Sequence, residues 1–217
     1  MKRVTKNSAV SPRGKRRQIG SLGRPVGRVI APGVWTKVIV GFVAAAAVTI
    51  SILSAPGMIG FLAAGLALVM LAIAIIDWHS FIIPDWLNAA GFCLAVVHAA
   101  AQEPAAMVSA VASAAMHGGV LALIFLALRY GYAQLRGRQG LGLGDVKLAL
   151  VAGAWLDWRM IPVAIELAVF AALSAYGLRQ IASSQSISAI NRIPFGLFFA
   201  PAIWISWVIQ VQWLAPF

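Results

Sequence analysis

The chain has 217 residues, 61% of them hydrophobic and 11% charged, with a net charge of +11 and one cysteine. A soluble globular domain carries about a quarter charged residues, so this composition excludes an ordinary soluble fold. A single cysteine also excludes an internal disulfide and a zinc centre built on cysteines.

Residues 1–33 hold nine of the seventeen lysines and arginines and no acid. This segment reads as a basic, disordered tail on the cytoplasmic side, touching anionic lipid beside the first membrane span. The same charge would suit a nucleic-acid arm, but no binding motif accompanies it, and no nucleic-acid partner is expected. A cleaved signal peptide is disfavoured too, because the basic region is too long and no small-residue cleavage site follows the first span.

Apolar runs then recur at 34–53, 58–76, 86–101, 107–128, 146–156, 160–178 and 195–214. Continuous runs near 20 residues predict an all-α polytopic membrane protein with six or seven transmembrane helices and a cytoplasmic N-terminus. They do not alternate as barrel strands do. Ser54-Ala55-Pro56-Gly57 is a turn, and Pro84 suits the first turn of the third helix. Gln102-Glu103-Pro104 ends that helix. Polar loops are expected at 129–145 and 179–192, with a turn at 157–159. The fifth run is short and draws on the preceding glycine loop. With the tail inside, the segments 77–85, 129–147 and 179–194 share its side, and they hold nearly all remaining basic residues except Lys37 and Arg159. Asp77, Asp85 and Asp145 then lie at one membrane face and can meet.

Two stretches gather three of the six acids. One is Asp77-Trp-His-Ser-Phe-Ile-Ile-Pro84-Asp85. The other is Gly140-Leu-Gly142-Leu-Gly144-Asp145-Val-Lys147. An ionisable group beside a membrane span is costly and marks function by default. Glycines allow positive φ and close backbone approach. The plain alternative makes Asp145 a helix N-cap and Lys147 an interfacial anchor. Two facing carboxyls, by contrast, can share a proton. One activates water as base; the other polarises the carbonyl and protonates the leaving amine. No metal or cofactor is needed. Asp77 follows a helix C-terminus and Asp145 opens a helix, so the dipoles favour Asp145 as base and Asp77 as acid.

Asp77 with Ile83-Pro84-Asp85, the segment Gly142-Leu-Gly144-Asp145-Val-Lys147, and Asn191-Arg-Ile-Pro-Phe-Gly196 together resemble the type IV prepilin peptidase family of GxGD membrane aspartic peptidases. The likeness covers roughly residues 58–210. It implies that 34–217 is a membrane-embedded peptidase domain in the inner (plasma) membrane. Such a domain cuts the basic leader from prepilin and pseudopilin precursors, after a glycine, at the cytoplasmic face. Carried over by position, Asp77 and Asp145 are the catalytic pair. Asp85 supports or orients substrate, Gly142 and Gly144 free the backbone of Asp145, and Lys147 is a local electrostatic partner. The cysteine-pair region of larger members, linked to N-methylation, is not matched.

Two other functions fit parts of the pattern. A proton-coupled transporter would relay through Asp77, Asp85 and Glu166, but it would want acids at mid-membrane and paired broken helices. A non-catalytic component of a pilus or secretion assembly would keep the fold alone. Outside the motifs, His79 reads as interfacial, and His98 and His117 as core polar contacts. Glu166 is an unexplained intramembrane acid. The eight tryptophans read as interfacial anchors, and Cys93 as a small buried hydrophobe.

Overall fold

A computed structural model describes residues 33–137, 140–182 and 194–213, and every regular element among them is helical. The helices are α1 (Val34–Ser54), α2 (Met58–Ser80), α3 (Asp85–Gln102), α4 (Met107–Arg136), α5 (Leu143–Trp155), α6 (Met160–Ala182) and α7 (Phe195–Trp213). A 3-10 turn, Pro104–Ala106, leads into α4. Five of them, α1, α2, α4 with its lead-in turn, α6 and α7, are long and apolar enough to cross a membrane. The protein is thus an all-α multi-pass membrane protein. Most of the basic tail, residues 1–32, lies outside the described residues.

The breaks follow local chemistry. Pro56 cannot continue α1, and Gly57 turns the chain at φ 69°. Phe81 ends α2 in the left-handed region, its N–H donating to the carbonyl of Asp77. Pro84 then stands at the N-cap of α3, one place before the expected first turn.

Several expectations change: α2 runs on past Asp77 to Ser80, and α6 past 178 to Ala182. The fourth helix does not stop at 128: α4 continues through Arg129 to Arg136, and Gly137 closes it in the left-handed conformation. The fifth begins three residues earlier than 146, which places Asp145 inside the first turn of α5 and not at its cap. Cys93 faces outward.

α2, α3, α5 and α7 form the packed centre, with α4 against α5 and α3, and α1 and α6 on the outside. Leu66, Ile73, Leu148, Val151, Phe199 and Ile203 are fully buried there. α4 and α5 approach closely because of glycine: a Cβ on Gly118 would meet the Leu150 carbonyl at 2.6 Å, and one on Gly153 the His117 carbonyl at 2.7 Å. Trp35, Trp86 and Trp213 are exposed at helix ends, as anchors would be. Trp155 and Trp207 are buried instead, and His98 stacks on Trp155 with ring centroids 4.2 Å apart. Glu166 lies on the outward face of α6.

Candidate active site

The C-terminal end of α2 and the N-terminal ends of α3, α5 and α7 meet at one end of the bundle. Between them lies a cleft of about 470 Å³, lined by Asp77, Asp85, Arg129, Asp145, Lys147 and Phe195 among others. All three motif acids therefore share one site, as the alternating topology requires. Among the described residues, no three of His, Cys, Asp and Glu gather as a metal site would need.

Asp77 is 4% exposed, and its carboxylate accepts the Leu197 N–H at 2.9 Å, with the Gly196 N–H beside it. These are first-turn amides of α7, which have no partner within their own helix. Asp77 thus sits in the last turn of one helix and caps another. The sequence shows only the first of these, because Leu197 lies 120 residues away. An anion at a helix N-terminus is favoured, so dipoles no longer separate Asp77 from Asp145 as they did on sequence grounds.

Asp145 is the third residue of α5, and its carboxylate folds back to accept the Gly142 N–H at 3.0 Å. Burial pushes its carboxyl up to about 6, against the pull of that N–H; the charge of Asp77 adds to the rise and that of Arg129 opposes it.

The glycines act by leaving room, not by unusual torsions. Gly142 is extended (φ −75°, ψ 154°), and neither it nor Gly144 has positive φ. A Cβ on Gly144 would lie 2.9 Å from Ile83 Cβ. A Cβ on Gly196 would lie 2.7 Å from Ile83 Cδ1 and 2.9 Å from Asp77 Oδ2. Ile83, 8% exposed, therefore wedges between the helices that carry or hold the two carboxyls. It sets how closely α5 and α7 approach, and the reading of charges alone passed over it.

Asp85 and Lys147 form an ion pair at 2.6 Å on the rim, with side chains 76% and 47% exposed. Lys147 is thus a partner of Asp85. Exposed pairs contribute about 0–1 kcal/mol. Lys147→Met is expected to lower the melting temperature by no more than about 4 °C. A larger fall in a thermal melt would show that the pair holds the bundle together.

Arg129 lines the same cleft and donates to the carbonyl of Leu141. The sequence offered it only as the charged end of a span. An intramembrane-sided arginine twelve residues before a glycine loop was the signal available.

A profile of the type IV leader peptidase family matches residues 64–177. The chain is 34% identical over 82 residues to the leader peptidase HopD of Salmonella typhimurium, covering 38% of this chain and 52% of that protein. It is 32% identical over 141 residues to a prepilin leader peptidase/N-methyltransferase of Burkholderia pseudomallei, covering 63% and 42%. To the protein of the same name from Aeromonas hydrophila it is 27% identical over 164 residues, covering 73% and 53%. The chain spans about half the length of these relatives. No solved structure matches it.

Proposed function

We propose that this chain, which belongs to the type IV leader peptidase family, is an aspartic endopeptidase that removes the basic leader of prepilin-like precursors at the cytoplasmic face of the inner membrane. The observation that carries this reading is the shared cleft of Asp77 and Asp145, each held by backbone N–H donors.

The geometry supports roles opposite to those the dipoles of α2 and α5 suggest. Asp77, capping α7, is the ionised base and takes a proton from the attacking water. Asp145 accepts one backbone N–H, from Gly142, where Asp77 accepts two, so Asp145 is the acid and donates to the carbonyl oxygen. The water oxygen bonds to the carbonyl carbon, and the C–N bond breaks as the leaving amine takes a proton from the pair. The pair titrates as a unit. No methyl transfer is assigned to it.

Carboxyl-carbon NMR of the protein in micelles gives a direct check, with the Asp145 signal identified by its loss in Asp145→Asn. Its midpoint is expected near 6, above the ordinary 3.8. In Asp77→Asn the midpoint falls, because a neighbouring negative charge has gone. An Asp145 midpoint that rises in that variant would reverse the assignment.

The activity itself is tested in proteoliposomes. The substrate is a precursor with a basic leader, a glycine before the cut and an apolar stem. Mass spectrometry should find a new amino terminus immediately after that glycine. Intact precursor, across several such substrates, would leave the family's fold here without its peptidase activity.

A further inference from the structure

The last two turns of α4 carry an arrangement that the catalytic reading does not use. Arg129 donates to the carbonyl of Leu141, twelve residues ahead. Tyr132, three residues after Arg129, lies on the same helical face. Its ring covers Gly140 so closely that a Cβ there would sit 2.6 Å from both Cδ1 and Cε1. Two consecutive loop residues, Gly140 and Leu141, are thus held by side chains one helical turn apart. The next residue is Gly142, whose N–H binds the Asp145 carboxylate.

We infer that Arg129 and Tyr132 form a clamp that positions Asp145 through the loop. Arg129 ties down the loop carbonyl, Tyr132 packs over the glycine, and Gly142 passes the constraint to the carboxyl. Both are positioning residues. The inference rests on the peptidase reading for its catalytic consequence but not for its geometry.

Arginine does two separable things here. Its Nη1 fixes a carbonyl, and its charge acts on Asp145 across the cleft. Among the described residues, the other charged groups around Asp145 are Asp77 from α2, Asp85 at the start of α3 and Lys147 on α5 itself; α7 brings Phe195 and backbone amides. Lysine would keep the charge but not the planar fork. Glutamine would lose the charge.

The test uses Arg129→Gln, Arg129→Lys and Tyr132→Ala in the full chain. Arg129→Gln is expected to raise the Asp145 midpoint by carboxyl NMR, while Arg129→Lys leaves it near the wild-type value. All three should quicken amide hydrogen exchange over residues 140–145. All three should lower kcat by about tenfold or more, with KM little changed, because displacement of a catalytic group costs rate and not ground-state binding. Unchanged exchange and an unchanged midpoint would overturn the clamp even if wild type cleaves precursors. If wild type does not cleave, the peptidase reading fails, and exchange and midpoint still decide the clamp.

Discussion

Asp77→Asn and Asp145→Asn are each expected to reduce leader cleavage by on the order of 10³-fold or more, with the folded protein retained. Asparagine keeps the shape and can still meet the backbone donors through its amide oxygen. It cannot take a proton from water or give one to a leaving amine at neutral pH. The double variant should be little worse than either single one, because groups that act as one unit are not additive. Gel shift of the precursor in proteoliposomes measures all three. Processing that survives either single change would remove that residue from the chemistry. The melting temperature should remain within a few degrees of wild type, which separates lost chemistry from lost fold.

Gly196→Ala should leave a stable protein that is nearly inactive. Alanine is the better helix former by about 1 kcal/mol, so α7 does not suffer locally. The added methyl, however, enters at 2.7 Å from Ile83 Cδ1 and 2.9 Å from Asp77 Oδ2. The end of the isoleucine can swing away at little cost. The carboxyl can move only by giving up the Leu197 and Gly196 amides. A displacement near 1 Å costs about 10²-fold in rate. Adding Ile83→Val removes Cδ1 but leaves the methyl against the carboxyl, so it should restore little of the activity. Wild-type turnover in Gly196→Ala, measured in the same cleavage assay, would show that Asp77 tolerates a different seat.

The sequence made the bundle legible because apolar length is a strong signal. The seven runs correspond to seven helices, and the alternation of charged segments placed Asp77, Asp85 and Asp145 at one end. It could not show where α4 stops. Arg129 to Arg136 are polar enough to read as loop, but Ala133, Gln134, Leu135 and Arg136 are good helix formers, and Arg129 and Tyr132 rest on Leu141 and Gly140. Nor could it show that the start of α7 rests on Asp77, a meeting of residues 120 positions apart. The glycines of the motif were visible, but their purpose was not. Positive φ is a local property that sequence can suggest, whereas the room that Ile83 needs is a matter of tertiary packing. Trp155 and Trp207 were misread for the same reason. Position near a span end predicts an interfacial ring, yet Trp155, closing the 13-residue α5, and Trp207, within α7, both pack on the buried His98.

The two carboxyls hang from helix ends at the mouth of the cleft and not from helix middles. Hydrolysis consumes one water per bond, and in the reaction we propose that water would arrive from the bulk without any route through lipid. The bilayer's part in that reaction would be to confine the precursor. A substrate held by its apolar stem meets the enzyme by lateral diffusion, so turnover should follow the number of precursors per unit area of membrane, not their concentration in the surrounding volume.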